Sequence, residues 1–484
     1  MNPADPQWLR SLHRRAFLSR AGLGLGGIAL SSLLAQSGAA RADEGLAPPS
    51  PQALPGLPHH APKAKRVVFL YMAGGPSQFE TFDHKPKLRE LDGQPMPASV
   101  TEGQPIAQLQ GQDLRILGPQ FRFRPRGDSG LEVSDIMPAT AEIADKICVI
   151  KSLHTDQINH DPAHTVMNTG TSISGRPSLG SWVTYGLGSD AENLPGFVVM
   201  TSQGGRNPQP ISSRQWSAAG LPGRFQGVEF YSRGEPIHYV RSPQGVTAAQ
   251  QRRLVDGIQA LNAIRMEEVP DPEIATRIAQ YELAFRMQTS VPELADFSDE
   301  PQTVLDEYGV NELDGSFAAN CLMARRLLER GVRFVQLYHR GWDHHGDLVP
   351  YMEVCSRLCD GPGATLVKDL ERRGLLKDTL VVWGGEFGRT PMFQGKGSQP
   401  GRDHHMAAFS MWLAGGGVRG GMSYGETDEL GYHAAVDPVH VHDLHATLLH
   451  LLGIDHRRLT IKLQGLDWRL TGVEPSRVVE EILA

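Results

Sequence analysis

Two stretches decide the fold. Arg333-Phe334-Val335-Gln336-Leu337-Tyr338 leads into Trp342-Asp343-His344-His345-Gly346, and Thr379-Leu380-Val381-Val382-Trp383 leads into Gly384-Gly385-Glu386-Phe387-Gly388-Arg389-Thr390-Pro391. Each begins as a short apolar run of strand length and closes on groups that can ligate a metal. A third cluster, Gly401-Arg402-Asp403-His404-His405, precedes the apolar run Phe409 to Ala414. In an open α/β sheet, ligands bind in the crevice beyond the carboxyl ends of the strands, so residues that follow separate strands can converge there. Carboxylates and imidazoles meeting in such a crevice point to a divalent-metal site.

Around these stretches the pattern alternates. A helix is expected from Ser316 to Arg330 with Gly331 after it, then the strand Arg333 to Tyr338, a helix Thr365 to Arg373, Gly374, and the strand Thr379 to Trp383. Such alternation predicts a doubly wound α/β fold, a mainly parallel sheet with helices on both faces. Towards the N-terminus, Val67-Val68-Phe69-Leu70-Tyr71-Met72 reads as a buried first strand ending at Gly74-Gly75-Pro76-Ser77. Ile147 to Ile150 and Phe197 to Thr201 supply further strands, the former after a helical stretch from Ala139 to Asp145. Residues 250–288 are amphipathic and helical, broken at Pro270 and Pro272, and read as an insertion. The helix His442 to Leu452 carries regularly spaced leucines, so the histidines at 440, 442, 445 and 450 are expected to be structural.

The first 42 residues stand apart. Arg14-Arg15-Ala16-Phe17-Leu18, a short apolar run from Ala21 to Leu34 and Ala40-Arg41-Ala42 read as a removable signal. The run is too short and glycine-rich for a span of about 20 apolar residues. The arginine pair resembles the twin-arginine export signal, with His13 in place of Ser or Thr and Ser19 in place of Lys. Export to the periplasm or cell surface is the expectation, with no membrane span in the mature chain. Residues 43–64 are rich in proline and read as a tether, leaving 65–484 for the folded domain.

Cleavage after Ala42 removes five arginines and one acid, so the formal charge of -7 becomes -11. An acidic chain without a long basic run argues against nucleic-acid binding. Hydrophobic content of 40% allows a large core. The four cysteines, 148, 321, 355 and 359, are too few for a disulfide scaffold.

A second cluster holds His154 and His160-Asp161-Pro162-Ala163-His164. With Pro162 in a first helical turn, His160 and His164 share one face and could serve as ligand, nucleophile or general acid. Arg176 and Arg389 lie in glycine-containing turns near proline, where a guanidinium either clamps an oxyanion or bridges backbone; Arg389 is the more functional candidate.

Taken together, these motifs resemble one family, the exported proteins catalogued as domain of unknown function 1501, placed in the alkaline phosphatase and sulfatase superfamily. The resemblance spans nearly the whole mature chain and rests on the segments beginning at Ala73, Gly175, Gly341, Gly385 and Gly401, with Asp443-Leu444-His445-Ala446-Thr447. It implies a doubly wound core in which carboxylates and histidines hold one or two divalent ions beside a Ser, Thr or formylglycine nucleophile.

This sequence departs from that pattern at three places. The first strand ends in Ala73-Gly74-Gly75 instead of a metal-binding Asp, Glu386-Phe387 stands where many members have Asp-His, and His160-Asp161-Pro162-Ala163-His164 replaces the nucleophile motif of sulfatases. One ion is therefore expected, zinc, calcium or manganese, among Asp343, His345, Glu386, Asp403 and His404, with His160, His164 and Arg389 acting on substrate. The implied activity is hydrolysis of a sulfate, phosphate or related ester, on a small molecule or a sulfated polysaccharide. The alternative is a non-catalytic binding or assembly protein on the same fold.

Overall fold

The computed structural model describes residues 53–484 apart from 203, 206, 239–246, 269–271, 397–398 and 464. The expected export signal and the first part of the tether lie outside the described residues. Nine strands, among the described residues, form the central sheet: β1 (Arg66–Ala73), β2 (Ile147–His154), β3 (Phe197–Ser202), β4 (Val228–Phe230), β5 (Phe334–Arg340), β6 (Thr379–Gly384), β7 (Phe409–Ala414), β8 (Met422–Tyr424) and β9 (Val439–His440). Their order is β8-β2-β7-β6-β1-β5-β3-β4, with β9 beside β2. All pairings are parallel except those of β7, which runs against β2 and β6. The fold is α/β, with a mixed and mostly parallel sheet.

β1 explains why helices cover both faces. Its residues after Arg66 are all buried, and alternate side chains enter different cores: Val68, Leu70 and Met72 on one face, Val67, Phe69 and Tyr71 on the other. Burying a Val, Leu or Phe side chain is worth about 1.5–3 kcal/mol, so an apolar strand of this kind is stable only between two layers. The first layer contains α5 (Phe317–Glu329) and α6 (Leu348–Arg372); the second contains α1 (His160–Thr169), α2 (Leu179–Leu187) and α7 (Val441–Leu451). The helices α3 (Ala248–Glu268) and α4 (Pro272–Ala295) are tied by Arg252 and Gln259, which both donate to Glu282. Met287, Val291 and Leu294 of α4 join the first core.

Two expected elements come out differently. The helix expected from Thr365 begins at Leu348 and runs through Gly361-Pro362-Gly363. Proline removes one helical hydrogen bond, but this turn is anchored from outside: the Asp360 carboxylate accepts the Ala139 and Thr140 N–H groups. The run Phe409 to Ala414 is a strand, but an antiparallel one. Parallel neighbours need a crossover, usually a helix. The chain between β6 and β7 instead forms short ladders, Gln394–Lys396 with Gln399–Gly401 and Gly388–Arg389 with His404–His405. It re-enters the sheet from the edge it left.

Residues 53–64, part of the expected tether, lie against the fold. Leu57 is buried, and the His59 and Lys63 N–H groups donate to Gly453 and Leu451 carbonyls.

Candidate metal centre

Sheet register fixes which loops meet. Ala73 pairs with Arg340 and Tyr71 with Gly384, so β1, β5 and β6 end at the same edge. Because β7 is antiparallel, its amino end lies at that edge too, beside Leu153 near the end of β2. Gly341-Trp342-Asp343, Gly385-Glu386, His404 and His160 are thereby delivered to one place. The approach is close: at Gly74, whose φ is +124°, a Cβ would sit 2.5 Å from the Asp343 nitrogen. Only glycine fits there.

Asp343 Oδ1 lies 2.9 Å from His345 Nε2 and 3.3 Å from each of His160 Nε2 and His404 Nε2. His345 Nε2 and His404 Nε2 are 3.0 Å apart. The other ring nitrogens are engaged elsewhere: His160 Nδ1 is 2.7 Å from Glu386 Oε1, His345 Nδ1 is 2.6 Å from Gln394 Oε1, and His404 Nδ1 is 3.0 Å from the Ile158 carbonyl. These acceptor oxygens assign the proton to each Nδ1 and leave three Nε2 lone pairs aimed at one carboxylate oxygen. His160 Nε2 is buried and makes no hydrogen bond. Converging lone pairs repel unless a cation lies among them, and outer-sphere acceptors on Nδ1 are what metal-ligating histidines have. The residues fit a divalent ion.

Asp343 Oδ2 accepts from Asn207 Nδ2 at 3.0 Å and Gln209 Nε2 at 2.7 Å, while the Arg389 guanidinium reaches Oδ1 at 2.6 Å. Burial pushes the Asp343 carboxyl up, but the Arg389 guanidinium beside it, in a setting of three facing imidazoles, outweighs burial and holds the group far below the usual range. Burial, with Arg389 nearby, takes His404 down to about 4. His160 goes the other way: burial lowers it, and the Asp343 and Glu386 carboxylates more than compensate.

The structure redistributes the expected roles. Asp343, His345 and His404 meet as expected, and His160 joins them from the start of α1. Glu386 stands behind His160, its carboxylate accepting the Gly74 N–H at 3.0 and 3.2 Å, with His164 Nδ1 3.6 Å away. It meets His160 on the ring edge away from Asp343 and, with His160 and His164, makes a second group of donors that could hold an ion. Asp403 turns to backbone, accepting N–H groups of Gln108 and Leu109 at 2.6 and 2.9 Å and that of His404 at 2.9 Å. His164 is 2% exposed and bonds Tyr71 Oη at 2.8 Å, beneath the site. Arg389 is fully buried and donates to Gly74, Gly75 and Arg402 carbonyls as well as Asp343, so it braces the site from below instead of presenting an oxyanion clamp. Arg176 stacks on Trp468.

Within each adjacent pair, extended geometry sends the neighbours to opposite sides. His344 Nε2 goes to the Gly341 carbonyl and His405 Nε2 to that of Tyr432, leaving His345 and His404 facing inward. Phe387 forms a wall against His160 and His404, with ring centroids 5.0 and 4.7 Å away. Sequence reasoning missed Asn207, Gln209 and Gln394, because a loop amide carries no spacing signal.

Glu386→Gln gives a graded test of its supporting role. Loss of the carboxylate behind His160 is expected to weaken metal binding about 10–100-fold without abolishing it. Competition with a calibrated chelator measures this, and unchanged affinity would separate Glu386 from the centre.

A family model described as "Protein of unknown function (DUF1501)" matches residues 64–483. No curated protein matches the chain. Among solved structures, the chain is similar to the PsFucS1 sulfatase from Pseudoalteromonas sp., at 11% identity over 81% of this chain and 68% of that one, with a TM-score of 0.31. It is also similar to a protein in the alkaline phosphatase superfamily from Vibrio parahaemolyticus, at 11% identity over 81% and 67%, with a TM-score of 0.31. The lipoteichoic acid synthase LtaP from Listeria monocytogenes is a third, at 9% identity over 85% and 75%, with a TM-score of 0.30.

Proposed function

The chain belongs to the DUF1501 family, and from that premise we propose that it is an exported, single-metal hydrolase of sulfate, phosphate or related esters. One observation carries the reading: three imidazole Nε2 atoms and one carboxylate oxygen converge, with every imidazole Nδ1 already engaged. His160, Asp343, His345 and His404 would hold the ion. Three nitrogens and one oxygen suit zinc, or manganese, better than calcium, which takes oxygen ligands. A divalent ion there supplies Lewis-acid polarisation of an ester oxygen and a lowered pKa for water.

The chain's own groups do the rest. Glu386 keeps the His160 proton on Nδ1, Phe387 walls the site against water, and Arg389 offsets the negative charge of Asp343. Gln108 Nε2, 3.3 Å from His345 Nε2 on the exposed side, is placed to donate to a substrate oxygen. Anionic esters, including those of a sulfated polysaccharide, are the proposed substrate class. No helix among the described residues is long and apolar enough to cross a membrane. The proposed destination is the periplasm or cell surface, by the twin-arginine route, with 65–484 as the working domain.

One observation favours the alternative, a non-catalytic binding or assembly protein: His160, in the segment that resembles the counterpart of the sulfatase nucleophile motif, lies among the converging donors and would be occupied by an ion held there. The test is elemental analysis of mature protein purified without chelators, followed by assay on a panel of sulfate and phosphate esters. About one equivalent of metal is expected, with hydrolysis lost on chelation and restored by metal. Full hydrolysis in stripped protein would overturn the hydrolase reading. A loaded protein inert across the panel but retaining glycan binding would establish the alternative.

A further inference from the structure

Three arginines stand within five residues at Arg122-Phe123-Arg124-Pro125-Arg126, in a chain whose formal charge is -7. They open a hairpin in which Phe123–Arg126 pairs antiparallel with Leu131–Ser134. Beside them lies a pocket of about 440 Å³, lined by His84, Arg89, Arg122, Phe123 and Arg124, with no acidic residue in its lining among the described residues. That volume falls within the roughly 300–1,000 Å³ usual for ligand clefts. The carboxylates nearby are already engaged: Glu132 Oε1 lies 2.8 Å from His84 Nδ1, and Asp135 accepts from Arg124 at 3.2 Å and from Arg126 at 2.6 Å. Arg89 has only carbonyls, its Nη2 donating to those of Pro119 and Phe121 at 3.0 and 3.1 Å. Arg122 has no side-chain partner among the described residues. Two exposed guanidiniums thus reach the pocket without a carboxylate to neutralise them. The same segment serves the metal centre: Gln108 meets His345, the Phe393 N–H donates to the Arg115 carbonyl, the Leu117 N–H donates to the Pro391 carbonyl, and the chain then arrives at Arg122.

We propose that this pocket is a second, non-catalytic site, which grips a sulfate or phosphate monoester group on an anionic glycan. A cleft lined by one sign of charge focuses its field and concentrates counter-ions. Guanidinium groups match tetrahedral oxyanions in geometry and stay charged at any working pH. The Phe123 ring, stacked on His84 with centroids 4.9 Å apart and planes 10° from parallel, holds the arginine strand in register with His84. The oxyanion follows from the pocket alone, whereas the glycan carrier rests on the substrate class proposed above. Binding here requires neither a metal ion nor hydrolysis.

The test is fluorescence anisotropy with an end-labelled dextran oligosaccharide in three forms: sulfated, phosphorylated and unsubstituted. It is run at about 50 mM NaCl, where exposed charges are screened less than at physiological salt. At least one esterified form is expected to bind and the unsubstituted form not to; the tighter of the two identifies the ester. Arg122→Gln is expected to weaken binding about fivefold, the scale of one exposed charge pair. Arg89→Gln/Arg122→Gln is expected to weaken it at least about tenfold. Arg253→Gln, which removes an exposed arginine of α3, is the control and is expected to change nothing. Arg122 lacks a partner, so its single variant keeps the fold, and thermal unfolding checks the double variant. Equal binding of the unsubstituted sugar, equal loss in Arg253→Gln, or wild-type affinity in a folded double variant would each overturn the proposal. Hydrolysis enters none of these readouts, so an inert metal centre leaves the result standing, and the hydrolase reading fails separately on its ester panel.

Discussion

Replacing Asp343 with asparagine is expected to reduce bound metal from about one equivalent to less than a tenth, because ligand loss exceeds the 10–100-fold effects of removing outer-sphere partners. Asp343 supplies the only carboxylate oxygen among the four converging donors. Hydrolysis is expected to fall with the metal. The same substitution has a structural cost, because Arg389 is fully buried and Asp343 is its carboxylate partner. Breaking a buried ion pair from one side typically costs about 3–5 kcal/mol. The double variant Asp343→Asn/Arg389→Met is expected to recover part of that stability but none of the metal. Urea unfolding and elemental analysis on both proteins separate the two roles, and retention of full metal by Asp343→Asn would refute this site.

Acid should unfold the protein steeply. Burial holds His339, His344 and His445 at about 3 and His405 at about 4, against roughly 6.5 in the unfolded chain. Below pH 6.5 the unfolded state therefore binds protons that the folded state refuses. The stability held by these neutral histidines is fully present above pH 6.5 and is lost as pH falls towards their folded values. Each contributes a slope of about 1.4 kcal/mol per pH unit, so four together approach roughly 5 kcal/mol per unit around pH 5, comparable with the whole stability of many domains. Asp83 and Asp360, which burial raises, work in the opposite sense, but only near and above their ordinary range close to pH 4. Denaturant titrations from pH 7 to pH 4.5 measure the slope. A flat profile would show that these rings take up protons without unfolding.

The strands of the central sheet were legible because burial on two faces leaves continuous apolar runs, as in Val67 to Met72 and Thr379 to Trp383. Direction was not legible in β7: its composition matches that of a parallel strand, and only the ladder between Gly388–Arg389 and His404–His405 turns it round. The long helix α6 was half hidden by Gly361-Pro362-Gly363, whose tolerance depends on Asp360 binding residues more than two hundred positions away. At the centre, residue types identified the neighbourhood, whereas role depended on which atom faced which. Glu386 and Asp403 look like equal carboxylates in sequence. The Gly74 amide and the backbone of Gln108 and Leu109 decide otherwise, and neither partner could be inferred from spacing.

The place of β1 bears on how the protein is made. The first strand to leave the ribosome is central in the sheet, yet its two neighbours begin at Phe334 and Thr379. At about 5–20 residues per second, Val67 waits roughly 13–50 s before Phe334 is even synthesised. During that time seven consecutive apolar residues have no edge to pair with, a standing opportunity for aggregation or for a chaperone. The four candidate donors are likewise far apart in sequence, from His160 to His404, so an ion held by all of them would be acquired only by a nearly complete chain.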